Sequence, residues 1–378
     1  MEILFFTEQW VNGGVASFIM NLLRNFDLDD NIRLDICVSE NMTDLYDDEL
    51  CSLGVSKNVL IGKQRTNPLV RMFTSSKQLK ELLQRKKYDI VHFHLCNALG
   101  LNYARIARNC GCKTIVHSHN SGVSSGIKSF GNSLFRSLYG KIPDERYGCS
   151  DLAVQWLFPD AYIKAGKVKI IKNGINTSRF AYDPECRRKL REELGVGNKI
   201  VICHIGRYIT QKNHGFLIDI YNAVTKKYSG GTKLLLIGEG PLEAQVWKRA
   251  CEYGIQEDII RICNTHNVPE YLCAADVFVL PSLFEGFPVV GIEAQASGLP
   301  CVFSSEITRQ AAILPNAVFA DLTMPPEKWA DIIMEEAGAD NDRASAHLLL
   351  KREGYDITDV AAEVKRGYFE MAKGEDFR

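Results

Sequence analysis

The chain has 378 residues, of which 46% are hydrophobic and 24% charged, and its net charge is −1. That length exceeds the roughly 250–300 residues at which one hydrophobic core stops growing, so two domains are expected. The balanced charge offers no global basic field for nucleic acid. The 12 cysteines lie mostly within apolar runs, as small hydrophobes do, and read as free thiols in a reducing, cytoplasmic setting. Cys110-Gly-Cys112 lacks the two-residue spacing and the second pair of a zinc site.

The chain begins MEILFFTEQW, with an acid at position 2 and a short apolar run, which suits a buried first strand better than a signal peptide. No apolar stretch approaches the roughly 20 residues needed to span a bilayer. Candidate strands follow at RLDICVS, IVHFHL, KTIVHSH and KVKIIKN, with VASFIMNLLRNF and SSKQLKELLQRKK between them at helical spacing. From Asn173-Gly174 the pattern breaks into the turn-rich NGINTSRFAYDPE, helical again from about Glu185. A second alternating series then runs KIVICHIG, TKLLLIG, IIRICN, DVFVLPS and PCVFSS, and DVAAEVKRGYFEMAK is a closing helix. Strand–helix alternation of this kind predicts α/β domains with doubly wound parallel sheets. We assign 1–175 to the first domain, 176–198 to a linker and 199–359 to the second domain, with 360–378 returning to the first.

Open α/β sheets bind ligands at the carboxyl ends of their strands, so the strand exits carry the functional argument. Gly13-Gly14 opens the first helix, where glycine lets a ligand approach the backbone or simply makes a tight turn. In HIGRYITQKNH, Arg207 and Lys212 precede a helix predicted to begin near Asn213. Two cations beside a positive helix end suit an incoming diphosphate, although solvated loop cations are the plainer alternative. Gly238, Gly240 and Pro241 make another strand–turn–helix junction, and a short helix is predicted at Val268–Ala275. In FEGFPVVGIEAQASGLP, Pro288 suits a first helical turn and Gly298 and Pro300 a helix end, placing a helix over Val289–Ser297. Glu293 lies inside it and Glu285 in the loop before it. Carboxylates repel phosphate but accept well from sugar hydroxyls, so cations on one loop and carboxylates on another describe a nucleotide-sugar site.

The ordered set NGGVASFI, HSHNS, IKNGINTSRF, HIGRYITQKNH, LIGEGP and FEGFPVVGIEAQASGLP resembles, over nearly the whole chain, the retaining GT-B glycosyltransferases marked by two glutamates separated by seven residues (family-four type). It is similar in particular to enzymes of bacterial capsular and extracellular polysaccharide synthesis. The resemblance implies two Rossmann-like domains facing a cleft, with the C-terminal helix packing back on the first. It implies that Glu293 holds the ribose, that Glu285 faces the transferred sugar, and that Arg207 and Lys212 bind the diphosphate, with Gly13 and Gly14 closing from the other domain. Gly238, Gly240, Val268, Gly286, Phe287 and Pro288 complete the expected donor contacts. The family also places a histidine near the donor sugar. His117 and His119 share one strand face, so alternation does not choose between them; His119 is preferred as nearer the loop, bonding the sugar and not attacking it. The expected catalytic set is therefore His119, Glu285, Arg207 and Lys212.

No cofactor and no metal are expected. His92 and His94 repeat the His-x-His spacing without a completing carboxylate or cysteine, and read as core. Asp27–Asp29 and Asp340–Asp342 match the metal-holding DxD pattern of the other glycosyltransferase architecture, but both sit in polar turns. No general base stands out, which fits a same-face retaining mechanism and equally an inactive protein. The expected partners are a nucleotide-sugar donor, most often a UDP-sugar, and a saccharide or polyprenyl-linked saccharide acceptor. RMFTSSKQLKELLQRKK and IKSFGNSLFRSLYGK mix basic and apolar residues, so peripheral contact with the inner membrane face competes with an ordinary solvated helix face. A nucleotide-sugar epimerase and a non-catalytic nucleotide-sugar-binding partner subunit are the alternatives in function.

Overall fold

The computed structural model describes every residue except Asn12, 27–31, 63–67, 121–126, Asn264, His266 and 375–378. Two compact units divide the chain: Met1–Gly174 with Ile357–Arg378, and Ile175–Asp356. The architecture is GT-B, with a parallel sheet in each unit.

In the first unit β1 (Glu2–Trp10), β2 (Arg33–Asn41), β3 (Ser56–Ile61), β4 (Ile90–Leu95), β5 (Lys113–Ser118), β6 (Glu145–Gly148) and β7 (Lys169–Ile170) stand in the order 3-2-1-4-5-6-7. Parallel strands covered on both faces must be apolar nearly throughout, and every residue of β4 is buried, its two histidines included. One core layer joins Phe5 and Ile36 to Phe18, Ile19, Leu22 and Leu23 on helix Gly14–Asn25 and to Val360, Val364 and Tyr368 on the C-terminal helix Ile357–Lys373. The C-terminal helix therefore belongs to the first unit, where the Tyr368 hydroxyl meets His92 Nδ1 at 2.6 Å.

In the second unit β8 (Ile200–Ile205), β9 (Thr232–Ile237), β10 (Ile259–Ile262), β11 (Val277–Leu280), β12 (Cys301–Ser304) and β13 (Ala317–Ala320) stand in the order 10-9-8-11-12-13. Both orders reverse beside the unit's first strand. The crevice between β1 and β4, and that between β8 and β11, are thus the topological switch points at which such sheets take ligands.

The segment expected to be a linker is instead part of the second unit. Helix Pro184–Glu193, capped by the Asp183 carboxylate, is riveted to the start of β11. Arg187 donates to the carbonyls of Cys273, Ala274 and Ala275, and both Arg187 and Arg191 pair with Asp276, which also accepts from Val201 N. The boundaries between the units fall at Gly174/Ile175 and Asp356/Ile357. Strands β3, β6 and β13 were not anticipated. They are four to six residues long, and two of them carry charged or polar residues that break an apolar run. All twelve cysteines are free thiols.

His92, His94 and His117 are 0–1% exposed. Burial, reinforced by the neighbouring imidazoles, holds all three well below the usual histidine range. Their stabilising contribution is complete above the unfolded value of about 6.5 and falls as pH drops, because the unfolded chain then binds protons the core refuses. Calorimetric melting between pH 8 and 5 should show a Tm that falls below about pH 6.5, the histidine loss being offset in part by the buried carboxyls of Glu8 and Glu293, which are raised to about 7 and gain stability on protonation.

Candidate functional site

The second unit's switch point is built from two loops that could not approach each other with ordinary residues. After β8 the chain runs through Gly206 and Arg207; after β9 it runs through Gly238 and Gly240. A Cβ on Gly238 would lie 2.3 Å from the Gly206 carbonyl oxygen, and one on Gly240 would lie 2.6–2.7 Å from the Tyr208 backbone. Gly238 also has φ +143°, a conformation L side chains rarely adopt. The contact is sealed by Gly206 N to Ile237 O and Tyr208 N to Glu239 O, both 3.0 Å. Asn213, left-handed at φ 56°, turns the chain into helix His214–Lys227.

This loop meets the one that follows β11. Asn213 Nδ2 donates to Pro281 O (3.1 Å), Leu283 N to Gln211 O (2.8 Å) and Gln211 Nε2 to Phe284 O (3.0 Å). At the junction Lys212 Nζ lies 2.6 Å from Glu285 Oε1, with side chains 15% and 9% exposed. Ser282 Oγ and Gln211 Nε2 also donate to the Glu285 carboxylate, at 2.9 and 3.2 Å. Arg207 stands apart, exposed and, among the described residues, without an ion pair. One cation is thus free for an anion while the other is matched to a carboxylate. Gly286, Phe287 and Pro288 are buried, with Phe287 stacked on Tyr355 at 5.8 Å, and Pro288 caps helix Val289–Ala296.

Glu293 projects from that helix, half-buried. Burial raises its carboxyl to about 7, with the Arg179 charge pulling the other way. Arg179 was missed in the sequence, although it stands in the NTSRF stretch, because a lone arginine in a turn carries no spacing signal. A second omission is Arg343, which donates to Leu272 O, Ala275 O and Ser297 O at 2.9–3.0 Å. It thereby ties the end of helix Val268–Ala274 to the end of helix Val289–Ala296 and fixes Val268 relative to Glu293. Beside it, exposed Asp342 is spent on Ala344 N and Ser345. The Asp27–Asp29 pattern lies outside the described residues.

The remaining expected site residues lie in the first unit. Gly13, extended at φ −178°, caps helix Gly14–Asn25. His117 is fully buried, whereas His119 is half-buried, so of the two His119 has surface to offer a ligand. Its Nε2 lies 3.0 Å from His94 Nδ1. Burial takes its pKa down to about 3, leaving a neutral imidazole suited to hydrogen bonding. His92, His94 and His117 bring ligand nitrogens within 4.8 Å of one another. Their rings, however, stack: His92 on His94 at 4.3 Å and 26°, and on His117 at 5.7 Å and 13°. An imidazole holds an ion in its own ring plane, and stacked planes share no such point without rotating. With Phe5 and Phe18 edge-on against them, the three rings are built as core.

Comparison with known proteins adds to this geometry. The family model "Glycosyltransferase Family 4" matches residues 12–179 and "Glycosyl transferases group 1" matches 199–335. EpsF of Bacillus subtilis, assigned to the glycosyltransferases, is 30% identical over 333 residues, covering 86% of this chain and 85% of EpsF. The UDP-Gal:α-D-GlcNAc-diphosphoundecaprenol α-1,3-galactosyltransferase of Escherichia coli is 27% identical over 75% of this chain and 74% of its own. Among solved structures, Anabaena HepE in complex with UDP-glucose superposes with a TM-score of 0.78 at 16% identity, over 98% of this chain and 100% of HepE.

The stitched loops make a measurable claim. Removing one partner of a largely buried ion pair strands the other, so Lys212→Ala and Glu285→Ala should each cost about 1–3 kcal/mol, less than a fully buried pair because both retain some exposure. The double variant should cost clearly less than their sum. A denaturant double-mutant cycle returning no coupling would show that the pair does not organise the loops.

Proposed function

The chain belongs to glycosyltransferase family 4, and on that footing we propose that it is a retaining hexosyltransferase that uses a nucleotide-diphosphate sugar, UDP-linked first among the candidates. The observation that carries this reading is the charge arrangement at the β8/β11 switch point: free Arg207, the Lys212–Glu285 pair, and Glu293 on the adjoining helix. In this reading the diphosphate is drawn by Arg207 and competes with Glu285 for Lys212. As Lys212 turns to phosphate, Glu285 is released to accept from hydroxyls of the transferred sugar, so binding the donor arms the carboxylate. Glu293 accepts from the ribose. In the first unit His119, kept neutral by burial, is suited to hydrogen-bond a sugar, and Gly13 and Gly14 open a helix whose backbone an anion can approach.

The two cations and the backbone donors of the loop can offset the charge that builds on the departing diphosphate, so a metal ion is not required. The departing phosphate takes the acceptor's proton, and the sugar keeps its anomeric configuration. UDP as carrier is supported by the E. coli relative named for UDP-Gal and by the UDP-glucose complex of HepE. The same relative, named for a diphosphoundecaprenol-linked acceptor, supports a lipid-linked saccharide acceptor, and the capsular polysaccharide biosynthesis glycosyltransferase CapH of Staphylococcus aureus, 24% identical over 88% of this chain and 90% of its own, supports a place in polysaccharide synthesis.

No helix among the described residues is long and apolar enough to cross a membrane. A lipid-linked acceptor would instead be met from the cytoplasmic side by the first unit. Phe73 and Val70 on helix Pro68–Arg85 are 71% and 53% exposed, and Leu138 and Leu134 on helix Ile127–Tyr139 are 51% and 49% exposed. Basic residues share both helices. Vesicles containing anionic lipid should sediment the protein at low salt and release it at high salt; if none sediments, the membrane contact is abandoned.

The functional reading is tested by melting the full chain with UDP, GDP, ADP and their sugars, with and without chelator. A ligand at about 100 times its Kd stabilises by about 2.7 kcal/mol, so UDP or a UDP-sugar should raise Tm by several degrees, equally in chelator. Glu285→Ala should lower UDP-sugar turnover by at least about 100-fold. If no nucleotide diphosphate shifts Tm, the reading fails; turnover lost in chelator and restored by Mn²⁺ removes metal independence alone.

A further inference from the structure

The first unit has a switch point of its own, between β1 and β4, and it holds a carboxylate that the donor site leaves unexplained. β1 pairs with β4 only as far as Thr7–His94, yet continues beside β2 to Trp10–Asn41. Glu8 is the first residue past the point where the two central strands part. On the other side β4 ends at Leu95, and the chain turns through Cys96 and Asn97 into the helical turn Ala98–Gly100.

That turn is fixed from several directions. Asn97 Oδ1 accepts from Leu99 N at 3.0 Å, Ala98 N donates to Asn132 Oδ1 at 2.6 Å, and Trp156 Nε1 donates to Cys96 O at 3.0 Å. The amide of Asn97, so oriented, donates to Glu8 Oε2 at 3.0 Å. The second oxygen of Glu8 has no partner among the described residues. Arg71 is the cation that faces it, but Arg71 Nη1 is engaged by both oxygens of Glu40, at 2.9 and 3.0 Å. Burial raises the Glu8 carboxyl to about 7 even though Asn97 and Arg71 pull it down. A carboxylate kept at such a cost does not serve the fold, since a glutamine could take the same bond from Asn97 without it.

We propose that Glu8, aimed by Asn97, grips a hydroxyl of the saccharide acceptor at the β1/β4 switch point of the first unit. A fixed carboxylate with one open oxygen and no committed cation selects a neutral, hydroxyl-bearing ligand and rejects phosphate, which is the chemistry of an acceptor sugar. The inference rests on the glycosyltransferase reading above and adds to it the residue that meets the acceptor.

Glu8→Gln is near-isosteric and can still accept from Asn97, so it should fold with a Tm at least equal to that of the wild type. The full chain is assayed with saturating UDP-sugar and a panel of p-nitrophenyl hexosides and short-chain GlcNAc-diphosphoprenol as acceptors. Losing a hydrogen bond to a charged group should lower acceptor kcat/KM by about 10–100-fold, while the UDP-induced Tm shift stays at the wild-type value. Wild-type acceptor kcat/KM should rise with pH through about 7 and become flat in the variant. Of the titratable groups beside Glu8, burial pushes the Cys96 thiol up to about 12 and raises Tyr103, so neither titrates there. A variant that transfers as well as the wild type overturns the inference, as does a wild type that hydrolyses the donor and uses no acceptor of the panel. Absence of any nucleotide shift in the wild type instead brings down the glycosyltransferase reading, and this inference with it.

Discussion

The pairing of Lys212 with Glu285 is the constraint on which the second unit's functional architecture turns. Two opposite charges, each largely removed from water, tolerate little error in position, because an ion left alone there costs about 1–3 kcal/mol. The loops that carry them are accordingly registered residue by residue. Gln211 reaches both Phe284 and Glu285, Leu283 answers back to Gln211, and Asn213 holds Pro281. Asn213 accepts a left-handed conformation to do so, a strain of the kind that persists where surrounding structure over-determines it. The pair thus keeps a cation and a carboxylate ready at the switch point without leaving either exposed as a bare buried charge.

The rest of the unit serves that register. Gly238 and Gly240 let the turn after β9 press against the backbone of the loop after β8, which fixes where Arg207 leaves the sheet. Arg343 collects the carbonyls at the ends of two helices, so the helix bearing Glu293 cannot slide against the one that begins at Val268. Gly298, at φ +69°, gives Arg343 its passage: a Cβ there would come within 2.5 Å of the Arg343 backbone. These residues fix the loops and helices that carry the charged groups.

Much of this could be read in the chain beforehand. Long apolar strands, their alternation with helices and the Pro288–Gly298 brackets of one helix are local signals, and they placed the two sheets and the helix of Glu293. What escaped was information held in tertiary contacts. Helix Pro184–Glu193 looked like a linker because its own sequence is almost wholly polar; Arg187 and Arg191 bind it to Asp276, nearly ninety residues away. Strand β6 (ERYG) is too short and too polar to read alone, and exists because β5 and β7 flank it. Arg179 and Arg343 are single arginines in turns, and only the folded chain shows what they hold. The choice between His117 and His119, open on alternation, becomes a question of exposure, which a strand pattern does not encode.

The partners of the carboxylates separate those that serve the fold from those that await something else. Asp276 is structural and shows it: two arginines and a backbone N–H satisfy it. Glu8 and Glu293 have only one amide bond and a neighbouring arginine's field, respectively, and burial raises both to about 7. A folded-state pKa above the unfolded one means that stability is lost as pH rises from about 4.5 through 7. At neutral pH both groups therefore weigh against the fold. A side chain that destabilises its own surroundings, near the switch points where sheets of this order take ligands, is placed as a ligand-binding group would be. Glu285 lies between these cases: Lys212, Ser282 and Gln211 satisfy it, and on the proposed reading it is released when a phosphate claims that lysine.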